Sequence, residues 1–308
     1  MRILVVGAGA IGGYFGGRLV EKNKNVTFLV RENREKQLKN DGLSIKSVHG
    51  EFKTEVKTLK SGEFAQPFDV IILSVKSYHL QTTLSDIKRY VHRDTMILPL
   101  LNGIEHIQTL KEEFSENQIL GGLCFIETTL DENGSIIQSS PIHEMVFGEL
   151  YKEDSERITH LEDLLSGTNA TIRKSNNIIQ EMWNKYMFIS VFSGVTTMFR
   201  SSIGPIREEQ SGDAFIKDLV DEIGTIMRAA GAPIQIGVEE EQIKKIQSMG
   251  YKMKSSMLRD MEKGLSTEAE HIHGYLLTLA NKHEILAPKL LSIYTNLQIY
   301  ERNNLLSL

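Results

Sequence analysis

Several groups of residues in this chain have types and spacings suited to chemistry. The first is Gly7-Ala-Gly-Ala-Ile-Gly12, which follows the apolar run Arg2-Ile-Leu-Val-Val6 directly. Three glycines spaced in this way suit a phosphate. Gly7 permits a sharp turn, Gly9 lets the backbone approach a pyrophosphate, and Gly12 allows close helix–strand packing. The N–H groups of Ala10, Ile11 and Gly12, at the start of the following helix, then face the anion. The chemistry implied is dinucleotide binding. A second β-rich run, Val26-Thr-Phe-Leu-Val30, closes the unit and is followed by Arg31 and Arg34 rather than by a terminal acid. A guanidinium there suits the 2′-phosphate of NADPH. Glu32 either turns outward or takes the ribose of NADH.

Further candidates stand after two continuous apolar runs. Lys76 follows Val70-Ile-Ile-Leu-Ser-Val75, and Asn102-Gly103 follows Thr95-Met-Ile-Leu-Pro-Leu-Leu101. Ligands of open α/β sheets bind at the carboxyl ends of strands, so both could meet cofactor or substrate. The alternatives are a solvated lysine and a plain turn. In the C-terminal half, Lys185 interrupts an apolar helical stretch, Tyr186-Met-Phe-Ile-Ser-Val-Phe192. It is either a snorkelling lysine or a buried one, and burial would tune it for proton transfer. Ser255-Ser256 either caps a helix or holds a carboxylate at the helix start. Thr267 and Glu270 have capping-box spacing, which leaves Glu268 less explained, and Glu268 shares a helix face with His271.

The elements that must position these residues fall into two halves. Residues 1–173 read as strand, glycine turn, helix and strand, followed by a surface helix near 35–41. Strands follow near Leu43–Val48, Phe52–Thr58, Val70–Val75 and Thr95–Leu101. Leu120–Thr128, Ser135–Ser140 and Glu144–Gly148 complete the set as a mixed or antiparallel edge, before a helix near 153–166 and a strand near 170–173. This is an α/β, Rossmann-type dinucleotide-binding domain. Residues 174–308 show no further β alternation. Their periodicity predicts helices over about 177–199, 212–230, 237–249, 253–263, 268–282 and 288–302, an all-helical second domain.

Composition narrows the function classes. A chain of 308 residues can bury a large core in two domains. The net charge of −5 argues against a nucleic-acid partner. No run approaches a membrane span, and the N-terminus enters its first strand directly, without a signal peptide. The single cysteine, Cys124, excludes an intramolecular disulfide and argues against a Cys-based metal site, and its apolar surroundings suit a buried strand. A cytoplasmic setting with no metal is expected. A homodimer, with 288–302 as the candidate contact, is the protein partner considered.

Taken together, these residues resemble the ketopantoate reductase family (2-dehydropantoate 2-reductases), from Gly7 to about Leu277. The resemblance is carried by Gly7-Ala-Gly-Ala-Ile-Gly-Gly-Tyr-Phe15, Ser74-Val-Lys76, Asn102-Gly103 and Trp183-Asn-Lys185. It continues in Ser255-Ser-Met-Leu-Arg-Asp260, Thr267-Glu268 and Gly274-Tyr275. It implies a 6-phosphogluconate dehydrogenase-like fold and NADPH-dependent reduction of 2-dehydropantoate to (R)-pantoate, in pantothenate and coenzyme A biosynthesis. Lys185 would protonate the ketone oxygen and Glu268 would accept a hydrogen bond from the substrate hydroxyl. Asn102 would orient the substrate near the nicotinamide, Ser256 would hold the carboxylate, and Lys76 would add positive charge. The family's two asparagines after the catalytic lysine are replaced here by Ile189 and by Ser193, which becomes the polar residue left to face substrate. The family's Asn before Gly-Tyr is His273. Another, less polar 2-oxo acid is therefore an alternative substrate, and a non-catalytic NADPH-binding redox sensor an alternative function.

Overall fold

The computed structural model describes residues 1–151 and 155–306. The chain divides into two compact units. One holds residues 1–101 and 106–178; the other holds 102–105 and the chain from Ile179 onward.

In the first unit the order is β1 (Arg2–Val6), α1 (Ala10–Glu21), β2 (Asn25–Leu29), α2 (Glu32–Asp41), β3 (Leu43–Ser47), β4 (Phe52–Thr54), β5 (Lys57–Leu59) and β6 (Val70–Leu73). Then come α3 (Leu80–Ile87), β7 (Met96–Pro99), α4 (Glu105–Glu113), β8 (Leu120–Leu130), β9 (Ile136–Glu149), α5 (Glu156–Leu165) and β10 (Thr171–Lys174). A parallel sheet runs in the order β5-β2-β1-β6-β7. Strands β6 and β7 are buried along their length, and β1 from Ile3 to Val6, as a sheet covered on both faces requires. The chain leaves β1 towards β2 and later returns to β6 on β1's other side. That reversal opens a crevice at the strands' carboxyl ends.

The last strands form a second sheet, β10-β9-β3-β4, with β8 pairing β9. They were expected at an edge of the first. The stretch expected as one strand over Phe52–Thr58 is split: β4 pairs antiparallel with β3, while β5 pairs parallel with β2 in the other sheet. Glu55 and Val56 carry the chain from one sheet to the other. Ser135–Ser140 and Glu144–Gly148 belong to one 14-residue strand, β9. It passes through Pro141, where the ladder against β8 shifts register between Ile126 and Thr128. A proline has no N–H for the ladder, so it is tolerated at such a bulge. Of the helix expected over 153–166, residues 153 and 154 lie outside the described residues.

Helix α1 explains a glycine excess that a nucleotide fingerprint does not need. A Cβ at Gly16 would press on Phe28 of β2, and one at Gly17 on Ile45 and Leu43 of β3. The helix is wedged between the two sheets, and small residues on both faces let each sheet approach.

The second unit contains α6 (Ile178–Phe199, its first residue counted with the first unit), α7 (Ile203–Glu208), α8 (Gln210–Ala229) and α9 (Val238–Ser248). It continues with α10 (Ser256–Glu262), a π turn at Glu270–Gly274, α11 (Tyr275–Lys282) and α12 (Pro288–Leu306). Among its described residues there is no strand. Residues 253–255 precede α10 rather than opening it, because Ser255 is the N-cap.

Candidate active site

The glycine loop is held by its neighbour strand. Gly7 turns at φ +93°, which only glycine adopts readily. Its N–H donates to Leu29 O at 3.1 Å, and the Ser74 hydroxyl donates to Val6 O and Gly7 O at 3.0 and 3.1 Å. A Cβ at Gly12 would overlap the Ser74 hydroxyl and the Gly7 carbonyl, so the chain's own packing requires that glycine. A Cβ at Gly9, the N-cap of α1, would meet nothing within 4 Å among the described residues. The space it would fill is a cradle beside the first N–H groups of α1. That geometry fits a dinucleotide pyrophosphate.

The loop opens into a cleft of about 630 Å³ whose walls include Gly7, Gly9, Val30, Arg31, Lys76 and His79. Ala10, Ile11 and Gly12 stand behind it, in the first turn of α1. Arg31 is exposed at the N-cap of α2. Arg34 lines the cleft as well, and it also braces the loop. Its guanidinium donates to Ala8 O and Gly134 O, both at 2.9 Å, and so ties the glycine loop to the β8–β9 turn. Burial pulls its pKa below the usual arginine value. Glu32 pairs with Lys36 at 2.8 Å along α2. Lys76 is half-buried at the N-cap of a 3₁₀ turn, Ser77–His79. His79, which sequence reasoning missed, has its pKa lowered by burial and by the charge of Arg31. Its position has no sequence signature. Ser74 carried one, as the serine of Ser-Val-Lys, but its bond to the loop needed the fold.

Asn102, Lys185, Ser193, Ser256 and Glu268 all belong to the helical unit. Asn102 was expected to touch cofactor as well, yet it is not among the cleft's lining residues. Lys185 is only 8% exposed on α6, a 22-residue helix rich in apolar side chains. One turn on, Ile189 is half-buried. Ser193 is buried, with an Oγ that has no hydrogen-bond partner among the described residues. Phe188 and Phe192 stack at 5.7 Å, and the Lys245 ammonium of α9 sits 4.1 Å from the Phe188 ring. Lost hydration, then the charge of Lys185, lowers the pKa of Lys245. Two cations therefore sense each other at this face of α6, and the sequence did not single out the second.

The serine pair divides its work. The Ser255 Oγ accepts from Leu258 N at 3.0 Å and bonds Thr196 Oγ1 at 2.8 Å, so it caps α10. Ser256 is exposed beside it. The capping box expected at Thr267 is not what Thr267 does: its N–H and hydroxyl donate to Glu301 of α12 at 2.5 and 2.6 Å. Glu270 accepts instead from the Tyr294 hydroxyl. Glu268, 8% exposed, precedes the π turn, and its carbonyl accepts from Ile272 N at 3.0 Å. The buried Tyr186 hydroxyl donates to Ile272 O at 2.6 Å, which satisfies a carbonyl that the wider π spacing displaces. His273 donates from Nε2 to Ser190 O at 2.9 Å, and full burial pulls its pKa down to about 4. It is a neutral packing residue.

Residues 3–152 match the family described as ketopantoate reductase PanE/ApbA, and residues 177–301 match its C-terminal part. The chain belongs to the ketopantoate reductase family. Like other members of that family, it is an oxidoreductase that uses a pyridine nucleotide. It is 45% identical over 301 residues to an uncharacterized oxidoreductase, YkpB, of Bacillus subtilis, covering 98% of this chain and 99% of that protein. The crystal structure of 2-dehydropantoate 2-reductase from Geobacter metallireducens aligns with a TM-score of 0.88 at 25% identity, over 97% and 99% of the two chains. D-mandelate dehydrogenase in a ternary structure with NADH and anilino(oxo)acetate shares the fold, with a TM-score of 0.89 at 21% identity over 99% of each chain. Among the described residues no helix is long and apolar enough to cross a membrane.

Proposed function

We propose that this ketopantoate reductase family member reduces the 2-keto group of a 2-oxo acid with NADPH, with ketopantoate, giving (R)-pantoate, as the first-choice substrate. The reading rests on Lys185, a buried lysine in an apolar helix, in the same compact unit as Asn102, Ser256 and Glu268. The cofactor, when bound, supplies a hydride. Gly7, Gly9 and the N–H groups of Ala10, Ile11 and Gly12 would hold its pyrophosphate, Arg31 its 2′-phosphate, and Lys76 would add positive charge.

Adding hydride to a ketone builds negative charge on its oxygen. Lys185 donates a proton to that oxygen as the charge develops, a step worth about 10²–10⁴ in rate. Ser256 binds the substrate carboxylate, beside the first N–H groups of α10. Asn102 orients the substrate, and Glu268 accepts a hydrogen bond from its hydroxyl. Ser193 offers a hydroxyl whose Oγ has no partner among the described residues.

One observation favours a second substrate. Ile189 places a half-buried alkyl group where the family has an amide, and Phe188 and Phe192 stack on the same helix. A pocket built this way suits a bulkier, less polar 2-oxo acid, of the kind the D-mandelate dehydrogenase complex contains. Following NADPH oxidation across a panel of 2-oxo acids separates the two. Ketopantoate turnover with kcat/KM of about 10⁴ M⁻¹s⁻¹ or more supports the first. Turnover confined to aryl or branched 2-oxo acids selects the second. No turnover with NADPH binding intact overturns both and leaves the redox sensor.

A further inference from the structure

His271 lies in the π turn, three residues after Glu268, and is 7% exposed. Its Nδ1 is 2.9 Å from Glu105 Oε2, and its Nε2 is 2.8 Å from the backbone oxygen of Asn102. The ring also lies against the backbone of Gly103. That residue has φ +82°, and a Cβ on it would stand 3.0 Å from both Cδ2 and Nε2 of the histidine. Both edges of the imidazole are thus engaged by the segment Asn102–Glu105, which is counted with the helical unit for its contacts there.

The chemistry of the two partners fixes the ring's hydrogens. A backbone carbonyl only accepts, and an ionised carboxylate only accepts. Satisfying both requires a hydrogen on each ring nitrogen, which is an imidazolium. A neutral ring keeps one N–H. It must then release either Asn102 O or Glu105, and a ring lone pair then faces an oxygen lone pair. Tyr186 of α6 and Tyr275 of α11 also feel the Glu105 carboxylate; burial and that charge raise both phenols. Within the turn, His273 is neutral and Glu270 is bonded to Tyr294.

We propose that His271, as an imidazolium held between Glu105 and the Asn102 carbonyl, is the positioning residue that sets Asn102 for the reaction. This takes from the preceding reading that Asn102 orients the substrate. The bond ties Asn102 to the turn that follows Glu268, so two groups assigned to one substrate share a support. A π turn, rare in helical structure and common at functional sites, is a fitting place for it.

The test begins with ¹⁵N-histidine NMR of the full chain, with the His271 signals assigned by their absence in His271→Gln. Two protonated ring nitrogens at pH 7 are expected; a neutral single tautomer there overturns the proposal. The second measurement is kcat/KM for the best 2-oxo acid. Glu105→Gln keeps an acceptor but removes the charge, and should lower kcat/KM by about tenfold or more. NADPH affinity should stay unchanged. His271→Gln can still donate to Asn102 O, so it should retain more turnover than His271→Ala. Loss of thermal stability in Glu105→Gln with an unchanged kcat/KM would reduce His271 to a structural clamp and overturn the proposal. A wild-type enzyme inert towards every 2-oxo acid defeats the functional reading, while NMR still reads the ring's protonation independently.

Discussion

The glycine loop and the π turn hold their geometry by opposite means. The loop uses backbone. Gly7, Gly9 and Gly12 work by having no side chain, and all lie within one strand–helix junction. The π turn region uses side chains drawn from across the chain: His271 reaches Asn102, 169 positions away, and Glu105, 166 away. A side-chain assembly can be retuned one residue at a time, as at Ile189, Ser193 and His273, which stand where the family has asparagines.

Four experiments probe that contrast. The largest effect is expected from Lys185→Ala, which should lower kcat by at least about a hundredfold with NADPH affinity little changed. Near-normal turnover would remove the side-chain region from the chemistry.

Next is the acid response of the helical unit. His273 has an ordinary pKa of 6.5 when unfolded and about 4 when buried in the fold. Between these values the unfolded chain binds the proton and the folded chain does not. Stability is therefore lost as pH falls from about 6.5 towards 4, by about 3 kcal/mol, and is flat below. His273→Asn should flatten this limb of Tm against pH; an unchanged limb would show that another group dominates it.

In the nucleotide cleft, Arg31→Ala should weaken NADPH by about 10- to 100-fold, with NADH nearly unaffected. Calorimetric titration with each cofactor decides it, and equal losses would refute the 2′-phosphate role. The finest comparison sets Gly12→Ala against Gly9→Ala. Gly12→Ala must displace Ser74 or the Gly7 backbone and should lower stability by about 1–3 kcal/mol. Gly9→Ala adds a methyl to open space, so Tm should barely change while NADPH affinity drops. Equal effects on Tm would mean that Gly9, too, serves packing.

Much of the first unit was legible because its signals are local. The runs at β1, β6 and β7 are largely apolar, β2 is rich in β-formers, and the glycine spacing carries its own mechanism. The split of Phe52–Thr58 into β4 and β5 was not legible, since period-2 alternation does not say which sheet a strand joins. Lys185 stood out as a charge in an apolar helix. Its companion Lys245 did not, because a lysine among the charged residues of a polar helix has no such contrast in the sequence. The capping box failed for a related reason: Thr267 and Glu270 had suitable spacing, but Glu301 and Tyr294, from α12, offered partners that local spacing cannot reveal.

By itself, then, the sequence determined an α/β nucleotide-binding half, a helical half and the glycine loop, and it marked Lys185 as the candidate acid. These depend on hydrophobic period and on residues a few positions apart. Only the tertiary structure decided that Arg34, which lines the cleft beside Arg31, also braces the glycine loop. It alone divided Ser255, the cap, from Ser256, and bound His271 to Asn102. Each of those choices turns on which oxygen or nitrogen comes within about 3 Å of a side chain, and for contacts far apart in the chain that distance is set by packing rather than by spacing.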